Sequence, residues 1–220
     1  WPMHYAWLHN DALWVLDETQ LMGVGVTTSA QLQAFRARFG TARTTRTIWM
    51  SATLDEEELT TVDHSRPSSG FDLLELGPED RNEPAVSKRL DSNKPLAKAA
   101  VSLEKKTSPS TFAKLGEEVV EAHIDGTLTL VVLNRVDRAQ QLYRELEKQT
   151  SEEQLTLLHS RFRPVERAAH LDAILSSPQD RIVVATQVVK AGMDLDATTM
   201  FTELAPFPSL VQRFGRCNRR

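Results

Sequence analysis

The stretch at residues 129–148, TLVVLNRVDRAQQLYRELEK, passes from an apolar run directly into a helical pattern. The apolar run at 129–133 predicts a buried strand, because large aliphatic side chains follow one another there without a charge. The remainder predicts a helix at 136–148. Its expected inward residues are Val136, Ala139, Tyr143 and Leu146. A strand followed at once by a helix is the unit of a parallel sheet that helices cover.

The same alternation continues on both sides of this stretch. Beyond it we predict strands at 155–158, 181–185 and 199–204 and helices at 164–175 and from 208 onward. Before it we predict a helix at 110–124, with Phe112, Leu115 and Val119 inward. Nearer the start we predict a buried parallel strand at 12–16, a helix at 29–39 and a strand at 47–50. Ser29 is expected to cap that early helix, with Leu32, Phe35 and Phe39 inward.

Residues 63–110 interrupt the alternation with many Pro, Ser and charged residues. We predict a linker here, containing a strand at 71–76, and a domain boundary near residue 93. The expected domains are therefore 1–92 and 93–220. Two successive α/β units joined by a linker suggest a pair of related domains.

Composition sets the class of protein. The 26 basic and 30 acidic residues give a net charge of −4, which still permits nucleic-acid binding where basic residues cluster. Cys217 is the only cysteine, so an internal disulfide and a cysteine zinc cluster are excluded, as expected for a reducing, cytoplasmic compartment. No apolar run is long enough for a membrane span, and the six histidines have no metal-ligand spacing.

Two motifs directly follow the early strands. Asp17 and Glu18 come after the strand at 12–16, where one carboxylate could hold a magnesium ion and the next could orient or deprotonate water. Ser51 and Thr53 follow the strand at 47–50, and their hydroxyls could bond to the acids. A solvated turn and a helix cap are the alternatives for these two motifs.

Two further motifs follow later strands. The segment at 186–194, TQVVKAGMD, contains Gly192, which lets the backbone pass close to a ligand, and Asp194, which could accept hydrogen bonds from a ribose. The segment at 212–220, QRFGRCNRR, contains Arg216 and Arg219, which share a helical face if the helix continues and could then grip a phosphoryl group. An ordinary loop and a basic surface run are the alternatives.

The order of these motifs resembles the core of superfamily-two helicases, namely LDE, SAT, TQVVKAGMDLD and QRFGRCNRR. Within that superfamily the chain looks most like the CRISPR-associated helicase–nuclease of type I systems. The narrower likeness depends on LDETQLMG with Gln20, on LHSRF at 158–162 and on Asn218 in GRCNRR. The resemblance implies the end of one RecA-like parallel-sheet domain and most of a second.

The resemblance also implies roles for particular residues. Asp17 would bind Mg²⁺, Glu18 would activate the hydrolytic water, and Ser51 and Thr53 would couple hydrolysis to domain movement. The residues implied to act on ATP from the second domain are Gly192, Asp194, Gln212, Arg216 and Arg219. Those implied to bind nucleic acid are Asn134, Arg135, His159, Ser160 and Arg161, together with Thr186, which would touch a nucleotide phosphate. The implied partners are single-stranded DNA, an RNA-guided CRISPR surveillance complex and a nuclease domain or chain.

The sequence departs from the family pattern at two points. The 220 residues contain no G-x-x-x-x-G-K-[ST] phosphate loop, which the family places upstream of the Asp-Glu motif, so the isolated chain is expected to hydrolyse ATP poorly or not at all. They also contain no histidine–aspartate nuclease signature. Two other functions stay open: a superfamily-two helicase acting on RNA or in DNA repair, and an inactive ATPase-like module that binds nucleic acid.

Overall fold

The computed structural model describes residues 2–51, 53, 56–67, 71–104, 107–176, 180–187 and 195–218. The chain forms two compact units, Trp1–Glu75 and Leu76–Arg220. The boundary near residue 93 was predicted between two related domains, which need not coincide with these compact units. It stays a prediction. No helix in the described ranges has the length and apolar character that crossing a bilayer requires.

The first unit contains two strands that lie side by side. Its helices and strands are α1 (Pro2–His9), β1 (Leu13–Leu16), α2 (Val24–Phe39) and β2 (Arg46–Trp49), with 3₁₀ turns at Thr19–Leu21 and Glu56–Leu59. β1 and β2 are parallel, with Leu13 opposite Arg46 and Leu16 opposite Trp49. Both predicted strands are therefore confirmed to within one residue, whereas α1 was not predicted.

Three details of the first unit correct the sequence analysis. Ser29 does not cap a helix, because α2 begins five residues earlier, after Gly23, whose φ of 53° ends the preceding turn. The buried Ser29 instead accepts a hydrogen bond from Trp49 Nε1 (2.8 Å). Phe39 was expected to face inward but is 75% exposed, and the predicted buried strand β1 exposes 59% of Leu13. In the described ranges β1 pairs with β2 alone, so its other edge has no strand partner.

The predicted strand at 71–76 is absent, and this segment has no regular structure. Phe71 packs instead against a small core of Val26, Ala30 and Leu59. Its ring also stacks on His64, with 5.6 Å between the ring centroids. The three leucines of the same run are exposed, so only Phe71 contributes to a core.

The second unit is a four-stranded parallel sheet with helices. Its helices and strands are α3 (Pro78–Asn82), α4 (Pro84–Leu90), α5 (Pro109–Ala122), β3 (Leu128–Val132), α6 (Val136–Leu146), β4 (Leu155–Leu158), α7 (Pro164–Ser176), β5 (Arg181–Ala185), β6 (Thr199–Thr202) and α8 (Phe207–Phe214). The strand order is β4-β5-β3-β6, and every pairing is parallel. The predicted α/β class is confirmed, as are the predicted helix α5 and the six predicted elements from β3 to β6. The helices α3 and α4 occupy part of the expected linker.

Side chains from the two faces of this sheet enter separate cores. Val131 contributes to one core with Phe112 of α5 and Leu142 of α6. Leu130 contributes to the other with Ile174 of α7. Leu142, which the helical pattern did not assign inward, is fully buried, whereas the expected inward residue Tyr143 is only half-buried. Helices on both faces explain why β3 is buried along its whole length.

The last helix is shorter than the motif it carries. α8 ends at Phe214, and Gly215 follows it as the C-cap. Arg216 therefore leaves the helix, and the condition under which Arg216 and Arg219 would share a helical face is not met. Arg219, Gly192 and Asp194 lie outside the described residues.

Candidate functional site

The two early motifs meet at one edge of the first unit. Because β1 and β2 are parallel, their carboxyl ends lie together, and the chain continues into Asp17 and Glu18 after one and Ser51 after the other. The ladder extends past the strand ends through Thr19 N, which donates to Met50 O (3.1 Å). The structure thus brings the predicted acids and hydroxyls together.

Gln20 joins the two motifs directly. Its Nε2 donates a hydrogen bond to the Glu18 carboxylate, and its Oε1 accepts one from Ser51 Oγ (2.6 Å). Ser51 Oγ in turn accepts a hydrogen bond from Thr53 N (3.1 Å). Sequence reasoning noted Gln20 only as a family marker. Its position two residues after Glu18, in a turn that folds toward the next strand end, is the signal that could have identified it.

The backbone at Glu18 shapes this edge. Glu18 has φ 52° and ψ 45°, the left-handed region that costs a non-glycine residue free energy. Its backbone N–H donates to Asp17 Oδ1 (2.8 Å), which fixes the Asp17 side chain beside the turn. Residues held in this region cluster at functional sites, so the conformation of Glu18 is consistent with a role there.

Asp17 fits a magnesium ligand. The residue is exposed at the end of a strand, and its carboxylate retains an oxygen beyond the one that Glu18 N uses. Within the described ranges no three His, Cys, Asp or Glu side chains gather as a metal cage. Magnesium needs no such cage, because it is commonly bound by one or two carboxylates, waters and phosphate oxygens.

The carboxyl edge of the second sheet collects the predicted nucleic-acid residues. Thr186 N donates to Leu158 O (3.1 Å), and Leu133 N donates to Ala185 O (2.9 Å). These bonds place His159, Thr186 and Asn134 at neighbouring strand ends, because β5 lies between β4 and β3. The three groups are far apart in sequence, and the sheet order alone makes them neighbours.

Only some of these residues face solvent. Arg135, Ser160 and Arg161 are exposed, and Arg135 pairs with Asp137 through two hydrogen bonds of 3.0 and 2.7 Å. Exposed pairs of this kind contribute little to stability, so Arg135 can exchange its partner for a phosphate at low cost.

His159 and Thr186 are buried, with 4% and 5% of their surfaces exposed. The His159 ring stacks on Phe162 at a centroid distance of 4.2 Å. Burial, and to a lesser extent the nearby Arg161 and His170, holds the pKa of His159 below its ordinary value, so the ring is neutral at pH 7. In this conformation neither side chain is accessible to a nucleic acid. Their burial does not fit the direct contact with phosphates that the sequence predicted.

α8 carries the first three residues of the arginine motif, Gln212 to Phe214. Both polar atoms of the Gln212 amide are buried without a hydrogen-bond partner among the described residues. An unsatisfied buried polar group costs roughly 1–3 kcal/mol, so Gln212 fits a residue that is completed by a ligand. Arg213 is 3% exposed and bonded within the unit, whereas Arg216 is half-buried just beyond the helix.

Comparisons with known proteins agree with this arrangement. Residues 125–220 match the family described as CRISPR-associated nuclease/helicase Cas3, C-terminal. A CRISPR-associated nuclease/helicase Cas3 from Methanothermobacter thermautotrophicus is 33% identical over 93 residues, which cover 41% of this chain and 11% of that protein. The fold matches a crystal structure of T. fusca Cas3-ATP with a TM-score of 0.64 and 20% identity, over 94% of this chain and 27% of that one.

Over residues 125–220 this chain resembles the C-terminal part of Cas3, and its sequence and fold support a helicase core of the superfamily-two kind. Its parallel sheets match the RecA-like domains of such proteins, which confirms the predicted fold. The same fold appears in S. cerevisiae Dbp5 bound to RNA and ADP BeF3, with a TM-score of 0.54 and 16% identity, over 96% of this chain and 51% of that one. Alignments to the first three curated Cas3 relatives span 11–15% of their lengths.

Proposed function

We propose that this Cas3-like core is the motor of an ATP-dependent helicase that moves on single-stranded DNA in CRISPR antiviral defence. The observation that supports it most is the hydrogen-bonded link from Glu18 through Gln20 to Ser51 at the carboxyl edge of the first unit. A hydrogen-bonded link between an acid and a hydroxyl motif on neighbouring strands suits a site that couples ATP hydrolysis to domain movement. The Cas3 relatives provide the CRISPR context.

In this proposal Asp17 holds Mg²⁺, with ATP as the substrate. The metal supplies neutralisation of charge on the phosphate oxygens. Glu18 accepts the proton of the attacking water at its carboxylate, and the bond from Gln20 Nε2 orients that carboxylate. Asp17 and Glu18 would thus have different roles, because one carboxylate would hold the metal while the other accepts the proton.

The second unit contributes residues to the same ATPase cycle. Arg216 and Arg219 would stabilise charge on the transferred phosphoryl group, since a guanidinium is planar and always charged. Gly192, Asp194 and Gln212 would complete the contacts with ATP. The buried, unpartnered amide of Gln212 supports this assignment, because a ligand would satisfy it.

The carboxyl edge of the second sheet would carry the DNA. Arg135, Ser160 and Arg161 are exposed there and can contact phosphates without reading bases. Such sequence-independent contacts suit a strand that must move along its track. An RNA-guided surveillance complex would deliver the DNA, and a nuclease domain or chain would cut it.

The test is Glu18→Gln in the complete protein that carries this chain. We expect ATP binding to persist while phosphate release with single-stranded DNA is lost, because the amide has the shape of the carboxylate but cannot accept the proton. Glu58→Gln, which changes an exposed carboxylate of the same unit, is the matched control. Wild-type turnover by Glu18→Gln would show that Glu18 is not the base. Equal stimulation by single-stranded RNA would favour the RNA-acting alternative.

A further inference from the structure

Arg213 of α8 reaches back across the carboxyl edge of the second sheet. Its Nη1 donates hydrogen bonds to Thr202 Oγ1 (2.7 Å) and Glu203 O (2.9 Å), at the end of β6. Its Nη2 donates to Asn134 Oδ1 (2.7 Å), at the end of β3. The planar Arg213 guanidinium thereby joins α8 to the ends of two neighbouring strands and fixes the orientation of the helix against them.

The Glu203 side chain contacts α6 and the end of β3. Its carboxylate pairs with Arg138 of α6, and the two side chains are only 10% and 13% exposed. The same carboxylate accepts a hydrogen bond from the backbone N–H of Asn134. Asn134 Nδ2 donates to Leu204 O (2.8 Å). Asn134 therefore uses its backbone N–H, its amide nitrogen and its amide oxygen within the unit.

Arg213 is the charged donor of this network. Burial lowers the pKa of the Arg213 guanidinium, and the nearby Glu203 opposes that shift. An arginine side chain is charged in proteins at neutral pH. The acceptors of Arg213 are a hydroxyl, a carbonyl and an amide, which bind a charged donor more strongly than a neutral one. Arg138, Glu203 and Arg213 are largely buried, whereas Asn134 is exposed. Because the members of this polar network are bonded to one another, the loss of one affects the rest.

The network includes Arg213 of the arginine motif and lies next to Arg216 of the same motif. Arg216 N donates to Arg213 O (2.8 Å), and Arg216 O accepts from Ala197 N (2.9 Å). The backbone of Arg216 therefore takes its position from Arg213. On the other side, Asn134 immediately precedes Arg135, an exposed arginine at the proposed DNA track.

We propose that Asn134, Arg138, Glu203 and Arg213 form an α8 bracket that positions Arg216 for ATP turnover and connects it to the DNA track at Arg135. This inference rests on the proposed function and changes one part of it. Asn134 becomes a positioning residue that acts through Arg213, instead of a ligand of the DNA backbone. Binding of DNA at Arg135 then reaches the arginine motif through a single side chain.

Turnover and DNA binding of the complete protein separate these roles. In Asn134→Ala and in Arg213→Lys we expect kcat for ATP at saturating DNA to fall by about tenfold to a hundredfold, because displacement of about 1 Å costs that much. The KM for ATP should change by less than about threefold, since turnover rather than uniform binding is lost. Affinity for a single-stranded oligonucleotide without nucleotide should stay as in the wild type. Arg144→Lys, on an exposed position of α6, is the matched control.

The double variant gives the sharper result. If both residues act through one contact, Asn134→Ala combined with Arg213→Lys lowers kcat no further than the more severe single variant. Weaker DNA binding by Asn134→Ala with wild-type turnover at saturation would make Asn134 a DNA ligand and overturn the bracket. So would a lowered unfolding temperature with unchanged kcat per folded molecule. A wild-type protein without DNA-stimulated turnover would remove the proposed function first, before any variant is compared.

Discussion

Ser51 Oγ donates a hydrogen bond of 2.6 Å to Gln20 Oε1, although the two residues lie on different loops and 31 positions apart. The opposite end of the Gln20 amide donates to the Glu18 carboxylate. An amide is suited to this position, since it accepts from a hydroxyl at one atom and donates to a carboxylate at the other. The proposed catalytic base and the proposed coupling hydroxyl therefore share one side chain.

Replacement of Gln20 by Ala should uncouple these two residues. Hydrogen bonds to charged groups contribute about 1.5–3 kcal/mol, so we expect kcat of the complete protein to fall about tenfold to a hundredfold. ATP affinity should change little, because Asp17 is untouched. Steady-state phosphate release and nucleotide binding measure the two effects, with Gln141→Ala on the exposed surface of α6 as the control. Unchanged kcat would mean that the Gln20 link has no part in turnover.

Substitutions of Arg216 and Arg161 should affect different quantities, namely ATP turnover and DNA affinity. Arg216→Ala should depress DNA-stimulated turnover at saturating ATP and DNA while affinity for single-stranded DNA without nucleotide stays the same. Arg161→Ala, and likewise Arg135→Ala, should weaken DNA binding and make its salt dependence shallower, because one phosphate contact is lost. Lys at position 216 should rescue only in part, since it has no forked donor set.

DNA binding over a salt series, paired with turnover at saturation, distinguishes these outcomes. Weaker DNA binding by Arg216→Ala with intact turnover would make the arginine motif a nucleic-acid patch. The assignment of Gln212 and Arg216 to ATP would then be wrong.

Asp180 should make the stability of the second unit depend on pH. Gly126 N (3.0 Å), and then Gln154 and His123, donate to its carboxylate and hold the pKa of Asp180 below its ordinary value. A carboxyl group with a lowered pKa stabilises the fold above its ordinary pKa, and this stabilisation is lost as pH falls through the folded value.

Asp180→Asn should therefore lower the thermal unfolding midpoint at pH 7, and the gap to the wild type should narrow as pH falls below about 4. Asn tolerates the left-handed backbone at this position (φ 59°), so the substitution tests the carboxylate alone. Unfolding followed by circular dichroism over a pH series is the measurement, with Asp125→Asn as the control. A gap that does not change with pH would contradict the role of the carboxylate.

Leu142 should contribute more to stability than Val136, one of the residues that the helical pattern placed inward. Leu142 is fully buried between α6 and the sheet, so Leu142→Ala should lower the free energy of unfolding by about 2–5 kcal/mol. Val136→Ala, at a half-buried position of the same helix, should lower it by less. Chemical denaturation compares the two, and equal losses would contradict the observed burial.

The sequence alone was sufficient for most of the elements in the second unit. Strands such as β5 and helices such as α5 were predicted because apolar periodicity is local, and each pattern needs only its own residues. Errors arose where distant contacts outweigh local pattern. Within the apolar run at 71–76 only Phe71 packs on a side-chain cluster, and no strand forms. Ser29 bonds to Trp49 without capping a helix.

The sequence by itself determined the α/β class and the order of the motifs, since both are written in short segments. The tertiary structure decided which motifs touch. β5 enters between β3 and β4, and only this order makes Thr186 a neighbour of both His159 and Asn134. Arg213 meets Asn134 across 79 positions for the same reason. Such contacts depend on the order and register of strands, which hydrogen bonding between distant segments fixes and which no local pattern specifies.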